Sequence, residues 1–258
     1  MRKTMIAANW KMHLATHEAS LLVHRLHQHI KTHRDIEIVL APTMLTLQPL
    51  SLEIDRRRFR LAAQNAYFKD EGGFTGEVSF TMLRGLVHYA IIGHSERRIY
   101  FNESLEMIRD KVAAAIRNEI APILCVGETK HERDARETRQ VLHDQVTTAL
   151  SGLTADEVSQ VVIAYEPVWA ISTFGGEIAR PLDVAEALKF IRYEVSELYG
   201  QNVADEIRIL YGGSVNEHTA GGYLALDDCD GALVGSASLN YHSFAAITDV
   251  AFRMSHQA

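Results

Sequence analysis

The stretch VVIAYEPVWAISTFGGEIARPLDVAEALKFIRYEVSELY (161–199) contains a predicted strand, a loop and a helix in that order. Its first residues are apolar and β-branched up to Glu166, as in a strand that is covered on both faces. A helix is predicted over 181–199, because Pro181 suits a first helical position and apolar residues recur behind it at helical spacing. This order is typical of the repeating unit of a parallel sheet with helical crossovers.

The same unit recurs along the whole chain. Short apolar runs stand at 4–9, 36–41, 59–65, 89–93, 121–126, 161–166, 207–212 and 230–235. Helical patterns fill the intervals between and after them, including 104–118, 138–150, 181–199 and 243–254. Eight strand–helix units in 258 residues match the size of a closed (β/α)₈ barrel.

An open, doubly wound α/β sheet is the alternative fold. That fold carries a glycine-rich nucleotide turn after its first strand, whereas the first run here leads into NWKMH (9–13). No linker, low-complexity tract or shift in composition divides the chain. We therefore expect a single-domain TIM barrel over residues 1–258.

Composition and charge exclude several classes of partner. The formal net charge of −7 argues against nucleic acid or an anionic membrane as a general partner. No apolar run approaches the length of a membrane span, and the N-terminal apolar segment is too short for a secretory signal. Cys125 and Cys229 form no disulfide framework, so a reducing cytoplasm is expected. The histidines of HLATHEASLLVHRLHQHIKTH (13–33) are interpreted as helix surface, and no metal site is predicted there.

Polar residues gather directly after the predicted strands. They are Asn9 and Lys11 after the first run, Gln64 and Asn65 at the end of the third, His94, Ser95 and Glu96 after the fourth, Glu166 at the end of the sixth, GGSVN (212–216) after the seventh and GSAS (235–238) after the eighth. In a barrel these positions meet on one face, where the strands end and the active site forms. The sequence therefore predicts one polar site at that face.

These residues lie in motifs that resemble the triosephosphate isomerase family over essentially the whole chain. The motifs are ANWKM (8–12), QNAYFKDEGGFTGEVS (64–79), IIGHSERR (91–98), ILCVGET (123–129), AYEPVWAI (164–171), LYGGSVN (210–216) and DGALVGSASL (230–239). The resemblance implies interconversion of dihydroxyacetone phosphate and D-glyceraldehyde 3-phosphate, in glycolysis and gluconeogenesis. It implies no cofactor and no metal.

The resemblance also implies catalytic roles for particular residues. Glu166 matches the base that moves the proton, and His94 matches the group that donates to the substrate oxygen. Lys11 supplies a fixed positive charge near the phosphate and the reacting oxygens. Asn9 is expected to orient Lys11. Glu96 either belongs to the catalytic network or forms a structural ion pair with Lys11 or Arg97, and the sequence leaves both open.

The phosphate is expected to be held mostly by backbone N–H groups of loops that carry small residues. The candidate binding residues are Ser172, Ser214, Gly235 and Ser236, together with Asn9 and Lys11. The loop after Glu166 is interpreted as a lid that is stiff at Pro167-Val168-Trp169, with Tyr211 and Ser214 placed to latch it when it closes.

The lid departs from the family pattern. The family usually continues AIGTG and then Lys-Thr-Ala, whereas this chain has AISTFGGEIA (170–179), with Ser172 and Phe174 at glycine positions and two additional residues before Pro181. Ser236 likewise replaces a common glycine. A positive φ would be tolerated poorly by Phe174. These changes bear on lid kinetics and on the size of substrate that fits.

The loop at 65–79 is long and mixed in composition, which is typical of a loop with a function. The resemblance implies that it docks into a second subunit, with Thr75 near that subunit's Asn9 and His94, in a two-fold homodimer. A mobile surface loop is the alternative. Two other functions stay open at this point: an isomerase of a four-carbon ketose phosphate, and a phosphate-binding barrel without catalysis.

Overall fold

A computed structural model describes residues 2–31 and 34–255. Eight parallel strands close into a barrel in chain order. The strands are β1 (Thr4–Asn9), β2 (Ile36–Ala41), β3 (Phe59–Ala63), β4 (Tyr89–Ile92), β5 (Ala121–Val126), β6 (Val162–Tyr165), β7 (Arg208–Tyr211) and β8 (Gly231–Val234). The single-domain TIM barrel expected from the sequence is confirmed.

Helices follow the strands and cover the outside of the barrel. They are α1 (Thr16–His29), α2 (Met44–Glu53), α3 (Phe80–Leu83), α4 (Ser95–Tyr100), α5 (Leu105–Arg117), α6 (Lys130–Asp134), α7 (Thr138–Leu150), α8 (Ala155–Val158), α9 (Pro181–Tyr199), α10 (Gln201–Glu206), α11 (Ala220–Leu224) and α12 (Tyr241–Ser255). Short 3₁₀ turns lie at Val168–Ala170, Ser172–Phe174 and Ser236–Leu239.

The core has two buried layers, because side chains alternate across each strand. On β1, Met5 and Ala7 belong to the apolar cluster inside the barrel. Ile6 and Ala8 belong to the larger cluster between the sheet and the helices. Both faces of the strands are therefore covered, which explains why the runs in the sequence are almost continuously apolar.

The strands are shorter than some of the apolar runs. The run at 59–65 was expected to be a strand throughout, but β3 ends at Ala63. Gln64 and Asn65 lie beyond the strand and their side chains bond to other segments: Gln64 donates to the backbone oxygens of Lys11 and Ala41, and Asn65 accepts from Lys111. Polar residues at the end of the run thus mark the end of the strand.

The histidine-rich segment forms α1 over Thr16–His29, as interpreted from the sequence, while His33 lies outside the described residues. Among residues 2–31 and 34–255, no group of three or more His, Cys, Asp or Glu side chains could hold a metal ion. In the same part of the chain, no helix combines the length and the apolar character that crossing a membrane requires.

Strand pairing is uneven around the ring. β1 and β2 pair over six positions, from Thr4↔Ile36 to Asn9↔Ala41, whereas β7 and β8 share the single pair Tyr211↔Ala232. The Asp230 carboxylate supplements this seam by accepting from the backbone N–H of Ile209 at 2.8 Å. A side-chain hydrogen bond therefore adds to the limited backbone hydrogen bonding between β7 and β8.

Candidate active site

A cavity of about 350 Å³ opens at the carboxyl end of the barrel. Eight of the predicted site residues line it, namely Asn9, Lys11, His94, Glu166, Ser172, Ser214, Gly235 and Ser236. They come from loops after five different strands, as expected for a site on this face. Two predicted residues, Glu96 and Thr75, are not among the residues that line the cavity.

Glu166 lies directly after β6 and is almost fully buried, with 2% of its surface exposed. Its Oε1 is 3.1 Å from Nε2 of His94, and its Oε2 accepts a hydrogen bond of 3.2 Å from the backbone N–H of Ser95. Gly212 gives it room, since a Cβ at position 212 would lie 2.7 Å from Cγ of Glu166. The carboxylate is thus held beside the imidazole at the wall of the cavity.

His94 immediately precedes α4. Its Nδ1 accepts a 3.2 Å hydrogen bond from the backbone N–H of Glu96. Because Nδ1 is an acceptor, the proton of the neutral ring lies on Nε2, which faces Glu166 and the cavity. The helix start therefore fixes the tautomer that can donate to a substrate oxygen.

Lys11 has an unusual backbone conformation for a lysine, with φ of 52°. Two side chains hold it there: Oδ1 of Asn9 accepts from the Lys11 N–H at 3.1 Å, and Nε2 of Gln64 donates to the Lys11 carbonyl at 2.8 Å. The contact with Asn9 is consistent with the expected role of Asn9 in orienting Lys11, which stays a prediction. The role of Gln64 was not predicted; its place at the end of the third apolar run was the available signal.

Glu96 forms an ion pair with Lys11, with Oε1 at 2.6 Å from Nζ. Thr173 of the lid joins the pair, because its hydroxyl donates to Glu96 at 3.0 Å and lies 3.3 Å from Nζ of Lys11. Burial alone would raise the pKa of Glu96, but the hydrogen bond and charge of Lys11 help to outweigh it, and the pKa lies below its ordinary value. Of the two ion pairs left open, the structure contains the one with Lys11, since Arg97 pairs with Glu103.

We define the lid as residues 171–180. Its positive φ values fall on Gly175 (142°) and Gly176 (65°), while Phe174 closes the 3₁₀ turn Ser172–Phe174 with a negative φ. The strain that a positive φ would impose on Phe174 is therefore absent. The Phe174 ring lies 5.7 Å from that of Tyr100 on α4, so the lid tip rests on the helix that follows His94.

The amino end of the lid is fixed by Glu128. This carboxyl group is fully buried and accepts from Nε1 of Trp169 at 2.9 Å and from the hydroxyl of Tyr165 at 3.1 Å. Burial raises the pKa of Glu128. Arg133 stacks over the Trp169 ring at 4.1 Å. Sequence reasoning missed Glu128, although it lies within the GET motif.

The candidate phosphate-binding residues line the part of the cavity between the lid and the loops after β7 and β8. Both the backbone N–H and the hydroxyl of Ser214 donate to the carbonyl of Ala170, at 3.1 and 2.7 Å. Gly235 faces Lys11, because a Cβ there would lie 3.8 Å from its Cε. The buried hydroxyl of Tyr211, the other predicted latch, has no hydrogen-bond partner within the described residues.

Thr75 is exposed within the loop 65–79. The base of this loop is closed by a 2.8 Å hydrogen bond from the Tyr67 N–H to the Val78 carbonyl, and the ring of Tyr67 lies 4.6 Å from that of Phe74. The loop therefore has contacts of its own, and its tip faces solvent in the single chain.

Comparison with known proteins agrees with this geometry. The family model described as triosephosphate isomerase matches residues 4–251. A protein named triosephosphate isomerase from Clostridium perfringens (strain SM101 / Type A) is 44% identical over 250 residues, covering 96% of this chain and 100% of that protein. Proteins of the same name from Carboxydothermus hydrogenoformans and Geotalea uraniireducens are 44% and 46% identical, each over 96% of this chain and 98% of their own length. With the barrel, the grouped polar residues and these relatives together, the chain belongs to the triosephosphate isomerase family.

Proposed function

We propose that Glu166, His94 and Lys11 carry out the chemistry of this isomerase, which interconverts dihydroxyacetone phosphate and D-glyceraldehyde 3-phosphate through an enediolate. The observation that carries the proposal is the 3.1 Å separation of Glu166 Oε1 and His94 Nε2 at the wall of one cavity that Lys11 also lines. A base, a neutral donor and a fixed cation are the groups that moving a proton beside a carbonyl requires.

Glu166 takes the proton from the carbon next to the carbonyl group. In the structure its carboxylate is engaged with the His94 ring, so a substrate that enters must take over the hydrogen bond from Nε2. The substrate oxygen then becomes the acceptor of that N–H while negative charge develops on it. The freed carboxylate oxygen faces the substrate carbon, and the same group returns the proton to the neighbouring carbon.

Lys11 acts through its charge. Its ammonium group neutralises part of the phosphate and of the developing enediolate. In the structure the ammonium is shared with Glu96 and Thr173, so binding of an anionic substrate competes with these contacts. Backbone N–H groups around Ser172, Ser214, Gly235 and Ser236 are proposed to hold the phosphate, which requires Ser214 to give up its bond to Ala170.

The alternatives drawn from the sequence are not favoured. A barrel that only binds phosphate has no need for a buried carboxylate aligned with a neutral imidazole. An isomerase of four-carbon ketose phosphates was suggested by the altered lid, but the lid accommodates Phe174 without backbone strain. The named relatives at 42–46% identity are all triosephosphate isomerases.

The assignment of the base is tested with Glu166→Gln, which keeps the size of the side chain and removes its charge. We expect kcat in a coupled isomerase assay to fall by about 10³-fold, within the range typical of a lost general base. Glu197→Gln makes the same chemical change on the exposed surface of α9 and should leave kcat unchanged. Equal rates for wild type and Glu166→Gln would refute the assignment.

We also infer a two-fold homodimer. Large apolar side chains are exposed in the segments that follow the first four strands, namely Met12, Leu45, Phe74, Met82, Ile99, Tyr100 and Phe101. Because neighbouring strands follow one another around the barrel, these segments lie on one side of it, and a surface of this kind favours a protein partner. Sedimentation should give a dimer, and Thr75→Arg should yield folded monomers with lower activity. A fully active wild-type monomer would contradict the inference.

We further infer a cytoplasmic location. Both cysteines are free thiols, with Cys125 buried in the barrel, and free cysteines are usual in a reducing compartment. Cell fractionation with antibodies against the protein would test this, and recovery outside the cytoplasm would contradict it.

A further inference from the structure

We propose that Tyr223 is a positioning residue whose hydroxyl anchors the carboxyl end of the lid and so limits premature loss of the reaction intermediate. The proposal deepens the proposed function, because it rests on the lid covering the site that contains Glu166. It concerns a residue outside the motifs that identify the family.

The anchor is a single buried hydrogen bond. The hydroxyl of Tyr223 on α11 donates to the backbone carbonyl of Ala179 at 2.8 Å. Ala179 is 1% exposed and Tyr223 is 3% exposed, whereas the flanking lid residues Ile178 and Arg180 are exposed. Ala179 is therefore the point at which the carboxyl end of the lid enters the protein.

Tyr223 is itself fixed against the end of β7. Its ring packs on the ring of Tyr211 with centroids 4.1 Å apart. Tyr211 is fully buried, and its hydroxyl lies against Gly213, where a Cβ would come within 2.1 Å of it. Tyr223 therefore connects a rigid part of the barrel to the lid and holds its donor at a fixed position.

The hydroxyl matters more than the ring. An apolar side chain of similar size would fill the same space, but it would leave the buried carbonyl of Ala179 without this donor, and an unpaired buried carbonyl is unfavourable. The lid end would then move toward water to satisfy the carbonyl. The other end would stay in place through the bond from Trp169 to Glu128.

A lid needs two fixed ends for its tip to follow a defined path. Here the amino end is held by Glu128 and the carboxyl end by Tyr223, and the residues between them are mostly exposed. This lid carries two additional residues relative to the family pattern, which increases the number of conformations that it can adopt. Releasing one anchor should lower the fraction of closed lids while the intermediate is bound.

Premature opening has a chemical signature. In the enediolate, the electron pair on the carbon framework can expel inorganic phosphate by breaking the C–O bond to the phosphate group. The remaining three-carbon enol then tautomerises to methylglyoxal. No oxidant or reductant takes part, so the ratio of released phosphate to isomerised product reports how well the lid retains the intermediate.

The test compares Tyr223→Phe with Tyr199→Phe. Tyr199 is a matched control, because its hydroxyl donates to the carbonyl of Leu150 at 2.6 Å at the end of α9 and takes no part in the lid. Isomerisation and release of methylglyoxal and phosphate are measured on the same folded samples. Tyr223→Phe should raise the elimination fraction at least 5-fold and lower kcat/KM about 10-fold. Tyr199→Phe should change neither value more than 2-fold.

A second variant keeps the test independent of how well Tyr223→Phe folds. Ala179→Gly loosens the lid end without altering the buried tyrosine, and it should raise the elimination fraction in the same direction. An unchanged elimination fraction in folded Tyr223→Phe would overturn the proposal whatever Ala179→Gly shows, as would equal changes in Tyr199→Phe. If Tyr223→Phe does not fold, an unchanged fraction in Ala179→Gly would overturn it. A failure of the proposed function would give a different result. In that case Glu166→Gln would still isomerise the substrate, whether residue 223 is Tyr or Phe.

Discussion

Gly212→Ala tests whether the position of Glu166 is set by the space that the end of β7 leaves for it. The new Cβ would lie 2.7 Å from Cγ of Glu166 and 3.5 Å from its Oε1. Carbon atoms prefer separations of about 3.5–4.0 Å, so Cγ must retreat by about 1 Å. The backbone cannot follow, because Gly127 packs so closely on the other side that a Cβ there would lie 1.9 Å from the Glu166 carbonyl.

The side chain of Glu166 must therefore leave its present position beside His94. A misplacement of about 1 Å at a catalytic group costs on the order of 100-fold in rate, equivalent to about 2.7 kcal/mol of activation free energy. We expect kcat in the coupled assay to fall by about that factor, with a loss of folding stability of about 1–3 kcal/mol from overpacking. Competitive inhibition by glycerol 3-phosphate should persist, because the new methyl group contacts Glu166 while the candidate phosphate-binding residues Ser214, Gly235 and Ser236 are unchanged.

Gly221→Ala on α11 is the control for adding a methyl group at a glycine outside the cavity. Its Cβ would lie 3.7 Å from Cγ1 of Val250 on α12, an ordinary van der Waals contact, so kcat should be unchanged. Gly212 has no positive φ, and an effect at this position therefore comes from space alone. A folded Gly212→Ala protein with kcat within 3-fold of wild type would refute the reasoning.

Two further predictions concern the ion pairs Lys111–Glu103 and Lys11–Glu96. Lys111→Met should lower the free energy of unfolding in urea by about 3 kcal/mol, because it leaves the buried Glu103 carboxylate with one fewer cation; a loss below about 1 kcal/mol would contradict this. Glu96→Gln should lower it by about 1 kcal/mol at pH 7. Since the pKa of Glu96 is lowered in the folded state from a reference of 4.5, the contribution of its pair with Lys11 is complete above pH 4.5 and is lost as the pH falls through the folded-state pKa. Urea titrations should show the difference shrinking toward pH 3, and a difference that is independent of pH would exclude this mechanism.

The barrel could be predicted because each strand is buried on both faces and the longer helices are buried on one, and these two arrangements give different patterns of apolar residues in the sequence. The end of β3 was less accurate, since Gln64 continues an apolar run but forms its hydrogen bonds outside the sheet. The pattern of apolar and polar residues indicates which positions are buried. It does not indicate which hydrogen-bond partner a polar side chain at the end of a strand will have.

The catalytic groups were predictable because they stand at the ends of strands in recognisable motifs. Their supporting contacts were not, because each joins segments that are far apart in the sequence. Glu128 accepts from Trp169, 41 residues further along the chain, and Thr173 of the lid contacts Lys11 across a separation of 162 residues. Tyr223 could not be distinguished from an ordinary core aromatic until its hydroxyl was seen on Ala179.

The single residue pair between β7 and β8 also affects how the molecule resists self-association. A complete ring offers no unpaired strand border onto which another polypeptide could add. If β7 and β8 separated, both strands would expose an unpaired edge, close to the carboxylate of Asp230 that helps to hold them together. Loss of that side chain would leave only the backbone bond from the Asp230 N–H to the Ile209 carbonyl, at 2.7 Å, between these two residues. Aggregation as well as unfolding would then become easier.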